Sequence, residues 1–155
     1  MTIGYLNMDQ MPLEERIALQ DLMTDYCYAV DKLTDVDELL DLFTDDAVLD
    51  FSDIGLAAMS GKAAFREFYE SVFADMSHHQ HYISNFRVES FTGDTATIRA
   101  YVQGLGRAND GNEVHVHVRY RMYCVKTGDS WKCSKYWILS GMPMPDSLEK
   151  IHGDH

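Results

Sequence analysis

Imidazole is the side chain best suited to moving protons near neutral pH, because its ordinary pKa is about 6.5. The sequence gathers five of its seven histidines into two clusters: His78, His79 and His81 in HHQH, and His115 and His117 in HVH. In an extended chain, residues two apart point the same way. His79 and His81 therefore share a face, and so do His115 and His117. If both faces belong to the same side of one sheet, four imidazoles converge. His152 and His155 fall in the tail and read as inert.

Three chemistries fit such a face. It can be a solvated polar surface. It can be a metal site, since HVH resembles the HxH of cupin metal centres, although RYRMY follows where a carboxylate ligand usually stands. It can be an acid–base site, where a histidine gains from a carboxylate that orients its ring and stabilises its cation. Asp31 in YAVDK is the candidate carboxylate. On a helical wheel it flanks the apolar stripe near Cys27 and Thr24, so periodicity is ambiguous and by itself favours an exposed acid near a helix end over a site residue.

These residues need elements to position them. Pro12 followed by Leu13, Ile17, Leu22, Met23, Tyr26, Val30 and Leu33 predicts a long amphipathic helix. Thr34 and Asp35 supply caps for a second helix, VDELLDLF. AVLDF predicts a short strand. SGKAAFREFYESVFADM predicts a third helix capped by Ser60. Beyond it come four strand-like runs, HYISNFRVESF, TATIRAYVQGLGR, EVHVHVRYRMYCV and WKCSKYWILSG, separated by the turn signals TGD, ANDGN and KTGD. In EVHVHVRYRMY, Val114, Val116, Val118, Tyr120 and Met122 alternate with Glu113, His115, His117, Arg119 and Arg121. Three helices before an antiparallel meander make an α+β domain spanning 1–155, with a core over about 12–142 and a tail along the surface or over a pocket mouth.

Composition narrows the partners. At 155 residues and 46% hydrophobic, the chain can bury one core. A net charge of -12 argues against nucleic acid and anionic membranes, and no apolar run approaches a membrane span. MTIGYLNMDQ lacks a basic region followed by an apolar one, so a cytoplasmic protein is expected. Cys27, Cys124 and Cys133 read as reduced, although Cys124 and Cys133 could face each other across the KTGD turn.

LQDLMTDYCYAVDKLTDVDELLDLFTDDAVLDF, HHQHYISN and GDSW, in this order, resemble the SnoaL-like branch of the NTF2-like superfamily over about residues 12–142. The resemblance implies an NTF2-like cone, with three helices packed on a strongly bent, mostly antiparallel sheet, and no cofactor. The chain is similar to the scytalone dehydratases, the hexachlorocyclohexane dehydrochlorinases and the bile-acid 7α-dehydratases. By that similarity Asp31 and His81 correspond to a catalytic pair, His117 to an acid–base histidine and Tyr26 to a catalytic tyrosine. Val30 and Phe51 stand where scytalone dehydratases carry two tyrosines, which argues against scytalone as substrate.

The implied activity is an acid–base elimination on a small, apolar, cyclic substrate. Isomerisation, polyketide cyclisation, a ligand-binding module and a dioxygenase β-subunit-like role are alternatives on the same fold. Expected pocket residues are Phe51, Phe65, Tyr82, Asn85, His115, Arg119, Trp137 and Met142, with Phe68, Phe86 and Met122 as further wall candidates. A homo-oligomer, dimer or trimer, is expected, because the sheet has two faces to cover.

Overall fold

The computed structural model describes residues 11–154. The opening MTIGYLNMDQ and His155 lie outside the described residues. Helix α1 (Leu13–Lys32) begins after Pro12, as the sequence predicts, and ends where Leu33 turns left-handed at φ 58°. Its Glu15 accepts a 2.6 Å hydrogen bond from Trp131 Nε1 and pairs with Lys126. The start of the helix is thereby pinned to the last hairpin. Helix α2 (Val36–Leu40) is capped by Asp35, whose carboxylate accepts from the Asp37 N–H at 2.9 Å. It ends earlier than expected, because Phe43 enters a strand, β1 (Phe43–Asp50).

A 3₁₀ turn (Ser52–Ile54) and a short strand β2 (Ala58–Ser60) follow, neither signalled by periodicity. Helix α3 (Lys62–Asp75) is preceded by Gly61 at φ 87°, a backbone state that favours glycine, and Ser60 does not cap it. The meander is as expected: β3 (Met76–Phe91), β4 (Thr95–Ala108), β5 (Glu113–Thr127) and β6 (Ser130–Ser140), all antiparallel. Strand β3 starts at Met76 rather than His81, so the whole HHQH cluster is in the sheet. Strand β1 then adds to β6 in parallel, giving the order β2-β1-β6-β5-β4-β3. A seven-residue helix, α4 (Asp146–His152), lies in the tail, where the sequence shows no helical period.

This is the α+β arrangement expected. The helices cover the face of the sheet bearing Val114, Val118, Tyr120 and Met122, which are buried with Tyr26, Phe43, Phe65 and Tyr136 in one core. Burying such side chains contributes roughly 1.5–3 kcal/mol each. Cys124 and Cys133 sit directly opposite each other as free thiols. Among the described residues no helix is long and apolar enough to cross a membrane.

Candidate active site

Strand β3 is an edge strand, and one side of its backbone would be unpaired. The last turn of α1 lies along that edge. A helix leaves its final carbonyls without intrahelical partners, and here one of them finds a partner on β3. The Val30 carbonyl accepts from His79 Nδ1 at 3.1 Å. Asp31 does more. One carboxylate oxygen accepts from His81 Nδ1 at 2.6 Å and the other from the His81 backbone N–H at 3.0 Å. A carboxylate in the last turn of a helix opposes the helix dipole. Its short, charge-assisted contact to the imidazole offsets that cost.

The contact fixes chemistry as well as position. A carboxylate accepts, so Nδ1 carries the hydrogen and Nε2 keeps a lone pair. When Nε2 takes a proton, Asp31 is already placed against the cation. The side chains of His81 and Asp31 are 14% and 23% exposed, enough shelter to strengthen the pairing while leaving the ring reachable.

Pairing register shows which way Nε2 faces. His81, Gly104 and Val116 are direct cross-strand partners, as are His79, Gly106 and Val114. Cross-strand partners share a face. A Cβ on Gly104 would lie 3.4 Å from His81 Nε2, and one on Gly106 would lie 3.2 Å from His79 Cδ2. Both rings therefore rest on the inner surface of the sheet over positions without side chains. They border a cavity of about 100 Å³ whose walls include Tyr26, Val30, Phe51, Phe68, Val118 and Ile138. Leu148 and His152 of α4 close one side of it. The tail histidine that read as inert is thus a cavity residue.

The cavity chemistry is mostly neutral. Burial, followed by neighbouring His81, lowers the pKa of His79 to about 4. Burial, followed by Asp31, raises the Cys27 thiol to about 12, so Cys27 is not a thiolate nucleophile at neutral pH. Burial pushes the Tyr26 phenol well above its ordinary range. Its hydroxyl meets that of Tyr69 at 2.8 Å. The Tyr26 hydroxyl also interacts with that of Tyr136. The Tyr120 and Tyr136 hydroxyls interact within the same cluster. That contact lacks full hydrogen-bond geometry, and the buried Tyr136 hydroxyl makes no full hydrogen bond.

Several expected site residues lie elsewhere, and alternation is the reason. His117 pairs with Gln103, which pairs with Tyr82, on the outer face of the sheet. His117 is exposed and lies in a groove with Arg119, Tyr101 and Met142. His115 has the same orientation, its side chain 61% exposed near Glu113. Arg119 stacks on Tyr101, and Trp137 is sandwiched by Arg121 and Lys135, all outside. Tyr82 and Asn85 do stay with the dyad: they line a groove at the β3 edge, between α1 and β3, that Asp31 and His81 also line, and Asn85 adopts φ 55°. Phe65 is fully buried against Phe43, behind the cavity wall. Met122 is core, and Phe86 packs under Arg16.

The family resemblance assigns His117 an acid–base role, but the HVH face is the outer one. The cavity lies on the other face, where two histidines of β3 sit among valines of β5. Only the shared face of His79 and His81 pointed to that pairing. Nothing in the sequence announced His152 or Leu148. Among the described residues no group of three or more His, Cys, Asp or Glu is placed to hold a metal ion.

A family model described as a SnoaL-like domain matches residues 11–136. A crystal structure from Novosphingobium aromaticivorans, provisionally described as an aromatic ring hydroxylase, is 47% identical, with a TM-score of 0.88, covering 92% of this chain and 99% of that one. A second protein from that organism, provisionally described as a scytalone dehydratase, is 22% identical with a TM-score of 0.77, covering 84% and 86%. A hexachlorocyclohexane dehydrochlorinase from Novosphingobium barchaimii is 25% identical with a TM-score of 0.73, covering 90% and 94%. No curated protein matches the sequence.

Proposed function

The chain belongs to the SnoaL-like domain family, and from that premise we propose that it is a cofactor-independent lyase eliminating water, or a comparable leaving group, from a small, largely apolar, cyclic molecule. Its dehydratase-like and dehydrochlorinase relatives support an enzyme of lyase or isomerase type. The observation that carries the finer reading is the His81–Asp31 contact at 2.6 Å, with Nε2 at the inner cavity.

In this reading Nε2 of His81 takes a proton from carbon, the C–H electrons form the double bond, and the bond to the leaving oxygen breaks. The Tyr26–Tyr69 pair can hydrogen-bond to that oxygen without giving up its proton. The proton held on His81 passes to the departing hydroxide, so water leaves and the neutral imidazole is restored. The cavity, about 100 Å³, is smaller than the engineered apolar cavities of about 150 Å³ that hold benzene, so a ring substrate requires the wall at Leu148 to move outward. An isomerase would use the same base and return the proton to another carbon.

The test is a mass screen against hydroxylated and halogenated cyclic compounds. A loss of 18 mass units with wild type and none with His81→Ala supports the dehydratase. An unchanged mass with altered retention favours isomerisation. Unchanged turnover in His81→Ala sinks the dyad.

The relative described as an aromatic ring hydroxylase favours a second reading, an accessory chain of a ring-hydroxylating oxygenase. Co-purification with a larger iron–sulfur protein, without turnover alone, would replace the first reading with this one. We also propose a homo-oligomer, because the outer face leaves Tyr82 53%, Tyr101 47% and Met142 56% exposed. A single-chain mass in sedimentation equilibrium overturns it.

A further inference from the structure

Val30 and Asp31 are adjacent on α1, yet they hold two different histidines. A carbonyl oxygen can only accept, so the 3.1 Å contact from His79 to Val30 requires the hydrogen on Nδ1. His79 is neutral at pH 7, with its pKa lowered to about 4 by burial and by His81. Its Nε2 is then an acceptor with no hydrogen of its own. The ring lies 5.6 Å from that of His81, nearly perpendicular to it, on the same cavity wall. The two imidazoles share a tautomer but not a role. His81 has a carboxylate to stabilise a second proton. His79 has a carbonyl at the same ring position, and a carbonyl offers no comparable support for a cation.

We propose that His79 is a fixed hydrogen-bond acceptor that selects substrates carrying a hydroxyl next to the carbon that His81 deprotonates. The substrate class is therefore a small hydroxylated ring rather than a halogenated one. Halocarbons have no donor for Nε2, so they forgo the hydrogen bond that a hydroxyl gains there. His79 is a positioning residue and carries no proton through the reaction. A Cβ at neighbouring Gly106 would lie 2.6 Å from Met76 Cε and 3.2 Å from His79 Cδ2, so the glycine leaves room for both side chains. The inference rests on the lyase reading for its substrate, but the acceptor itself can be tested without turnover.

Histidine ¹⁵N spectra at pH 7 give the first readout. The Nδ1–H tautomer is expected for His79, with Nε2 in the region of unprotonated ring nitrogens. Titration with phenol and then anisole gives the second. Phenol is expected to move the Nε2 signal and to bind about 5- to 10-fold more tightly, the size of one neutral hydrogen bond. His79→Phe should erase that preference, and His79→Gln, which keeps an acceptor, should restore part of it. An Nε2–H tautomer, equal binding of phenol and anisole, or no phenol binding into the millimolar range overturns the proposal. His81-dependent turnover of a ring without any hydroxyl sinks the acceptor alone. Phenol selectivity without conversion of any hydroxylated ring sinks the lyase alone.

Discussion

The two faces of the sheet carry histidines at the same spacing and treat them oppositely. On the inner face, His79 and His81 are sheltered, each ring nitrogen Nδ1 is assigned by a partner on α1, and glycines on β4 make room for the rings. On the outer face, His115 and His117 stand exposed among arginines, tyrosines and Gln103. Residue type is the same and chemistry is not. A histidine becomes a defined acid–base group when its tautomer is fixed and its cation has a partner. Of the four, His81 alone meets both conditions.

The largest effects should separate the faces outright. On any substrate the protein converts, His81→Ala and Asp31→Ala should each lower kcat/KM by about 10²–10⁴-fold, the usual worth of a positioned acid–base group. His117→Ala should stay within about 2-fold. The reverse pattern would move the site to the outer groove. Asp31→Asn is the sharper variant. It keeps the shape of the contact, but removes the charge that stabilises the imidazolium.

Gly104→Ala comes next, with about a 10-fold loss of turnover expected and little loss of stability. The new methyl would meet Val116 Cγ2 at 3.1 Å and His81 Cδ2 at 3.3 Å, so both must shift by a few tenths of an ångström. Gly104 does not adopt a positive φ. Replacing it therefore brings the entropic gain of Gly→Ala, about 0.4–1 kcal/mol, against that crowding. Thermal melts and kinetics read the two apart. A large fall in stability would show that the glycine serves packing rather than the ring.

How much of this was legible in the sequence follows the same division. The apolar alternation of β5, the turn signals and the caps at Pro12 and Asp35 are local, and they gave the α1 start, the meander and the α+β class. Asp31–His81 was reachable only by family resemblance, because a helix flank and a strand end declare no contact between themselves. His117, Arg119 and Trp137 lie on the outer face, opposite to the expected pocket side. Alternation says which residues share a face, and it does not say which face meets the helices. Tertiary packing decided that, by burying the valines. Helix α4 was invisible because Leu148 and Ile151 offer too few apolar positions for a period.

A smaller effect concerns pH. The pKa of His79 is depressed to about 4, against an ordinary value near 6.5. The unfolded chain therefore takes this proton first. Stability is fully present above pH 6.5 and is lost as pH falls toward 4, at up to about 1.4 kcal/mol per unit. Denaturant melts of wild type and His79→Phe between pH 7 and 4.5 should show this slope in the former and its reduction in the latter. Equal slopes would mean that His79 is not held neutral by its surroundings.

The smallest effect is expected on the outer face, and it bears on whether that face is bare. Glu89 accepts from Arg99 at 3.2 Å and from Arg121 at 3.3 Å, with the arginine side chains about half exposed (52% and 45%). Pairs of that kind contribute about 0–1 kcal/mol and weaken in salt. Arg121 also lies 5.3 Å from the Trp137 ring centroid, a contact that lysine at the same position would reproduce poorly. If the face meets water, Arg121→Ala should cost less than about 1 kcal/mol, and 0.5 M salt should shrink the difference. If a second copy of the chain covers the face, the pair is desolvated, and removing one partner leaves Glu89 buried and unpaired. The cost then rises to about 3–5 kcal/mol, resists salt, and shrinks with dilution as the assembly dissociates and water reaches the pair. Chemical denaturation at two protein concentrations therefore distinguishes a solvated face from an interface.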